Sequence, residues 1–235
     1  MRVEVGSTDQ LLAGAFVVVP AYNEAQVIRG VILELLQSFP NVVVVNDGSS
    51  DGTAAALSDT GARVVTHLIN LGQGAALQTG ITFALEHGAS CVVTFDADGQ
   101  HRVEDAVASV RMLHEGGCDV VCGSRFLGTS SNIPGMRRIV LKAAAAWSNL
   151  VSRTKMTDAH NGLRALSRDA AASLNLSQSG MAHASQIVTQ LQKKHMRICE
   201  VPVQIRYTAY SLSKGQSLAN SVNILADLFI ERFVR

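Results

Sequence analysis

The chain has no surplus of charge of either sign. Its 20 lysines and arginines stand against 19 acids, for a formal net charge of +1. The strongly basic face that gathers nucleic-acid phosphates is therefore missing, and no nucleic-acid partner is expected. Long hydrophobic runs are missing too, since no window approaches the ~20 uninterrupted apolar residues that cross a bilayer. The expected location is the cytoplasm, with at most peripheral attachment at the inner face of the membrane. Cysteine is scarce. Cys91, Cys118, Cys122 and Cys199 sit mostly within apolar runs, and no close pair has a second pair to complete a zinc site. They read as buried, reduced thiols.

What is present is the material of one packed domain. Hydrophobic residues make up 47% of the chain and charged residues 17%, a balance unlike that of a disordered tail or a disulfide scaffold. No linker, repeat or low-complexity tract divides residues 1–235, which are expected to form a single domain. The first apolar stretch, residues 11–19, follows Glu4 and Asp9 and runs into Pro20-Ala21-Tyr22-Asn23-Glu24. That context suits a buried strand better than a leader peptide.

Short β-branched runs recur at residues 16–19, 42–45, 63–66, 91–95 and 119–122. Segments with helical spacing lie between them, at 24–38, 74–87 and 103–115. This alternation predicts an α/β fold with a mostly parallel central sheet and helices on both faces. Beyond about residue 127 the pattern changes. An Ala-rich segment at 136–153, a short run at 163–166, a helix-like stretch at 181–195 and a strand-like stretch at 198–205 read as an acceptor-side elaboration. At 218–233 apolar residues form one helical stripe, suited to a bilayer surface, to the protein's own core or to a second copy in a homo-oligomer.

In an open parallel sheet, ligands gather at the carboxyl ends of the strands. Three such ends carry polar clusters: Pro20 to Glu24, Asn46-Asp47-Gly48-Ser49-Ser50-Asp51-Gly52-Thr53, and Asp96-Ala97-Asp98-Gly99-Gln100-His101. Ser50 or Asp51 can cap the following helix, while Asp47 at a strand tip can accept hydrogen bonds from a nucleotide's base or ribose. Asp96 and Asp98, two apart on an extended chain, would face the same way and offer two hard oxygen donors to Mg²⁺ or Mn²⁺. Gln100 keeps the same parity. Arg125, Arg137 and Arg138 can hold phosphate oxygens by charge-assisted bonds.

Together these residues resemble the family 2 glycosyltransferases of the GT-A fold, especially the dolichyl- or polyprenyl-phosphate sugar synthase branch. The likeness rests on Val17 to Glu24, Val45 to Thr53, Asn70-Leu71-Gly72-Gln73-Gly74-Ala75-Ala76, Phe95 to His101 and Gly123-Ser124-Arg125-Phe126. It continues more loosely through Thr157 to Arg164 and Glu200-Val201-Pro202-Val203. The resemblance implies a Rossmann-like nucleotide-sugar half over about 1–127 and an acceptor half over about 128–235. A UDP- or GDP-sugar would be bound by Pro20, Tyr22, Glu24, Asp47, Gln73, Asp96, Ala97, Asp98 and Arg125, with the metal at Asp96, Asp98 and Gln100.

The acceptor would be a lipid phosphate or a glycan, near Asp158. Arg137, Arg138, Arg164, His183 and Lys214 are candidates for acceptor or phosphate contacts. Direct displacement with inversion is the expected chemistry, with Asp158, or else His183, as the base for a hydroxyl acceptor. Two departures stand out: Gln73 replaces the Lys common in the glycine-rich loop, and Lys214 alone stands for an Arg-x-x-Gly-x-Ser-Lys pattern. Phe95 to Gly99 also looks like the opening motif of haloacid-dehalogenase-type phosphatases, though here strand signals precede it. A non-catalytic nucleotide-sugar-binding subunit is the other alternative.

Overall fold

Valine-rich runs with no charge inside them form the middle of the sheet, because only a strand covered on both faces can bury every side chain. The computed structural model describes residues 7–127, 156–158, 161–176, 182–206 and 210. The first part follows the order α1 (Thr8–Gly14), β1 (Ala15–Ala21), α2 (Ile28–Leu36), β2 (Asn41–Asp47), α3 (Thr53–Leu57), β3 (Arg63–His67), α4 (Gln73–Glu86), β4 (Cys91–Thr94), α5 (Val103–His114) and β5 (Val120–Ser124). After it come β6 (Arg164–Ser167), α6 (Arg168–Ala172), α7 (Ala182–Lys193) and β7 (Ile198–Pro202). The apolar segments expected at 136–153 and 218–233 lie outside the described residues, as do Arg137, Arg138 and Lys214.

The strands form a seven-stranded sheet in the order β3-β2-β1-β4-β6-β5-β7. Alternate side chains feed two cores. Val17, Val19, Val42, Val44 and Val93 face α2 and α5, whereas Phe16, Val18, Val43 and Val92 face α4 and α7. Helices thus cover both faces, as the alternation predicts. β3, with only intermediate and exposed positions, closes one side of the sheet.

Three expectations need correction. Residues 11–14 are the end of α1 rather than strand, and the chain becomes extended only at Ala15. Residues 24–27 precede α2 instead of opening it. The run at 163–166, read as part of an elaboration added after the sheet, belongs to the sheet itself: β6 enters between β4 and β5, antiparallel to both, with Arg164 opposite Thr94 and Cys122. An antiparallel strand begins where its parallel neighbours end, so β6 brings Asn161, Gly162 and Arg164 to the carboxyl edge.

The thiol expectation holds for Cys91 and Cys122, which are free and whose pKa values burial pushes up to about 11. It fails for the other two. Cys118, just before β5, is disulfide-bonded to Cys199 in β7, across 81 residues of sequence. The parallel β5–β7 pairing sets Val121 opposite Cys199 and so brings the sulfurs together, a proximity that spacing cannot reveal. Closing so long a loop should stabilise the fold by about 2–4 kcal/mol. Urea unfolding of the oxidised protein should show a midpoint that falls on reduction or in Cys199→Ser; an unchanged midpoint would contradict the brace.

Candidate active site

Two strand ends are first stitched to each other. Asn23, in the left-handed region at φ 56°, which Asn tolerates, accepts from the Ser50 amide at 2.9 Å, and its own N–H donates to Ser49 Oγ at 3.0 Å. The Glu24 amide donates to Thr53 Oγ1 at 2.8 Å and the Ala25 amide to Asp51 Oδ2 at 3.2 Å. Asp51 also accepts from the Thr53 amide at 2.9 Å, but the N-cap of α3 is Gly52, with no side-chain cap bond, so neither Ser50 nor Asp51 is the expected cap. This stitching holds Tyr22 and Glu24 beside the tip of β2. Tyr210, from the far end of the chain, donates its hydroxyl to Glu24 Oε2 at 2.7 Å.

Asp47 is buried and is already used by the protein. Its oxygens accept from His67 Nδ1 at 2.7 Å and from the Leu71 and Gly72 amides at 2.9 and 2.8 Å. His67 contacts Thr79 Oγ1 through its other nitrogen at 2.9 Å. Asp47 therefore ties the loop after β3 to the end of β2 and presents Gly72 and Gln73 at the start of α4. Gly48 follows with φ 66°, and a Cβ there would lie 2.4 Å from the Ile69 carbonyl carbon, so only glycine lets the loop pass.

The Asp96 and Asp98 carboxylates come together, although not by strand alternation. β4 stops at Thr94 and residues 97–99 turn, with Gly99 at φ 73°. Asp96 accepts from His101 Nε2 at 3.0 Å and from Gln73 Nε2 at 3.2 Å. Its other neighbour is backbone: a Cβ on Gly162 would fall 2.1 Å from Asp96 Oδ2. The Thr94 hydroxyl fixes that turn by donating to the Gly162 carbonyl at 2.6 Å.

The two acids differ in charge compensation. Burial by itself would raise the pKa of Asp96, but the His101 hydrogen bond and the nearby Arg164 and His183 outweigh it, and the net shift is downward. Among the described residues Asp98 accepts only from the Gln100 amide, at 3.0 Å, with the charge of His101 a lesser counterweight. Burial, followed by the negative charges of Asp96 and Glu24, pushes its pKa up to about 6.

These groups line one cavity of about 420 Å³, together with Pro20, Tyr22, Asp47, Gln73, Ala97, Gln100 and, from the later strands and helix, Arg125, Asn161, Arg164 and His183. Asp158 does not line it. Its carboxylate, 3% exposed, accepts from Arg125 Nε and Nη2 at 2.6 Å each and from the Arg125 amide at 3.0 Å. Although burial opposes ionisation, the Arg125 guanidinium holds the Asp158 pKa below its ordinary value. A carboxylate so engaged is a poor proton acceptor, and its oxygens hold the Arg125 side chain in place.

His67, His101, Asn161, Gly162 and Tyr210 carry parts of the site to which local sequence assigns no role. His101 and Gly162 do lie inside the recognisable motifs; His67 and Tyr210 have no local signal.

Among the described residues no group of three or more His, Cys, Asp or Glu side chains forms a complete metal cage. Asp96 and Asp98 with Gln100 suit instead an ion that takes its remaining ligands from phosphate and water, the habit of Mg²⁺. Hard oxygen donors at an under-neutralised carboxylate fit such an ion.

A mostly parallel sheet whose carboxyl edge gathers carboxylates and guanidinium groups in one cleft defines a GT-A-like fold. It superposes with a TM-score of 0.68 on glucosyl-3-phosphoglycerate synthase from Mycobacterium tuberculosis, a structure containing Mn²⁺, uridine diphosphate and phosphoglyceric acid. The match covers 97% of this chain and 82% of that one at 22% identity. The chain belongs to glycosyl transferase family 2, whose family model matches residues 16–174. This membership displaces the phosphatase alternative.

Over 222 residues the chain is 34% identical to the uncharacterized protein MJ1222 of Methanocaldococcus jannaschii, covering 92% of this chain and 91% of that one. It is 28% identical over 225 residues to the UDP-N-acetylglucosamine–dolichyl-phosphate N-acetylglucosaminyltransferase of Methanococcus voltae, covering 86% and 90% respectively.

The raised pKa of Asp98 sets a sign for stability. With a folded value of about 6 against an unfolded one of about 3.9, the ionised carboxylate destabilises the metal-free fold. That penalty is complete above pH 6 and fades as pH falls from 6 toward 4. Asp98→Asn should therefore stabilise the metal-free protein by ~1–2 kcal/mol at pH 7.5 and by almost nothing at pH 4. Thermal melts at the two pH values check this; equal or negative shifts at pH 7.5 would contradict it.

Proposed function

We propose that the chain transfers a sugar from a nucleoside diphosphate sugar to a polyprenyl phosphate, with inversion at the anomeric carbon. The observation that supports it best is one cavity lined both by the Asp96–Asp98 pair and by Arg125, Arg164 and His183. Such a mixture suits a diphosphate whose charge grows as the sugar bond breaks. The dolichyl-phosphate acceptor named for the Methanococcus voltae relative supports the choice of acceptor.

Pro20, Tyr22, Glu24 and the loop tied down by Asp47 would hold the nucleoside, with Gln73 and Ala97 against the sugar diphosphate. Asp96, Asp98 and Gln100 would hold Mg²⁺ or Mn²⁺, which supplies positive charge to the leaving diphosphate. Arg125, fixed by Asp158, adds a guanidinium to the same oxygens. Arg164 and His183, which line the same cavity, would orient the acceptor anion. A phosphate acceptor is already anionic at neutral pH and needs no proton removed, which agrees with Asp158 being committed to Arg125.

The likeness to a polyprenyl-phosphate transferase supports a peripheral location at a membrane. No helix among the described residues is long and apolar enough to cross a bilayer, and the terminal amphipathic segment proposed for surface contact lies outside them.

The assay is transfer from labelled UDP- and GDP-sugars to polyprenyl phosphate, with and without Mn²⁺. Wild-type protein should form a glycosyl phospholipid, and Asp98→Ala should lose about a hundredfold or more. Metal-independent, undiminished transfer by Asp98→Ala would overturn the metal role. Binding of UDP or GDP with no transfer to any acceptor would favour a nucleotide-sugar-binding subunit.

A further inference from the structure

Arg125 owes its position to more than Asp158. Asp158 and its neighbour Thr157 meet Ser124 and Arg125 at the end of β5 and are held by a second carboxylate, Glu200, projecting from the middle of β7. Glu200 accepts from the Thr157 amide with both oxygens at 2.9 Å, from Thr157 Oγ1 at 2.9 Å, and from the Asp158 amide at 3.1 Å. Thr157 Oγ1 in turn meets Ser124 Oγ at 2.5 Å, and Ser124 Oγ accepts from the Phe126 amide at 3.2 Å. The residues flanking Arg125 on both sides are therefore tied to the segment that Glu200 organises.

β7 itself is rigidly placed. It pairs along β5 from Val120 to Ser124 and carries the disulfide to Cys118 one residue before Glu200. Arg197 just ahead of it is locked to Asp119 by side-chain and backbone bonds of 2.8–3.1 Å. The Val203 amide beyond it donates to the Ser124 carbonyl at 3.0 Å.

We infer that Glu200 is a positioning residue for transfer: it fixes the Thr157–Asp158 backbone, and through Asp158 it aims the Arg125 guanidinium into the cavity. Glu200 does not line that cavity, so it acts only through others. The physical requirement is specific. Three backbone and hydroxyl donors converge on one point, and only a carboxylate offers enough acceptor sites to satisfy all of them without presenting a competing N–H. A guanidinium misplaced by about 1 Å loses on the order of a hundredfold in rate, even when its own residue is intact.

This inference rests on the proposal that Arg125 stabilises the departing diphosphate, and the test separates the two. Glu200→Ala, Glu200→Gln, Arg125→Ala and the Glu200→Ala/Arg125→Ala double variant are compared for kcat, KM and UDP or GDP affinity in Mn²⁺, with thermal melts to correct for the folded fraction. Arg125→Ala should lower kcat by about a hundredfold or more, and Glu200→Ala by about tenfold to a hundredfold per folded molecule. The double variant should be no worse than Arg125→Ala alone, because the two act as a unit. Glu200→Gln should recover part of the loss, since its amide oxygen still accepts. Glu200→Ala with wild-type kcat beside a damaged Arg125→Ala, or losses that simply multiply, would overturn the relay and leave the transferase reading standing. Wild-type kcat in both single variants would overturn the assignment of Arg125, and the relay with it.

Discussion

The site is organised around an imbalance of charge between two neighbouring acids. Asp96 is gripped by His101 and Gln73, packed against the bare α-carbon of Gly162, and kept ionised by the positive groups near it. Asp98, with a single amide donor among the described residues and two acids for company, is left under-neutralised. A fixed anion beside a frustrated one is a poor arrangement for stability and a good one for capturing a cation together with an anionic ligand. The surrounding architecture can be understood as what is needed to hold that pair rigidly while keeping space beside it.

Much of that support comes from far along the chain. β6 runs against the direction of its neighbours, and this reversal is what delivers Asn161, Gly162 and Arg164 to the edge where β1, β2 and β4 end. Had β6 been parallel, its first residues would lie at the opposite edge. The strands of the first half and the later β6 and β7 thus share one sheet, and β7, braced by the disulfide and by Arg197, places Glu200 behind Arg125. Rigid strands position such groups better than loops do.

How much of this could be read beforehand depended on the range of the interaction. The β1, β2, β4 and β5 runs are continuous apolar segments, and their burial follows from composition alone. The Asp96 to His101 cluster was legible as a chemical site because its donors are consecutive in sequence. The direction of β6 was not, since a four-residue run carries no mark of its partners. The Cys118–Cys199 link and the Glu200 bonds depend on β5 meeting β7. Asp47 read as a carboxylate at a strand tip open to a nucleotide, and Asp158 as a candidate base. Their oxygens turned out to be occupied by backbone amides and by Arg125, partners invisible to a pattern of residue types. Gln73 shows the reverse case: the loss of a cation was legible, while the hydrogen bond it gives Asp96 was not.

The decisive measurement is diffraction from crystals soaked in MnCl₂ and UDP, with data collected at the manganese absorption edge. An anomalous peak within coordinating distance of Asp98, bridging to the diphosphate and lost in Asp98→Ala, is the expected result. Bound UDP with no peak beside Asp96 and Asp98, or a peak indifferent to the loss of Asp98, would contradict the metal-holding role of the pair.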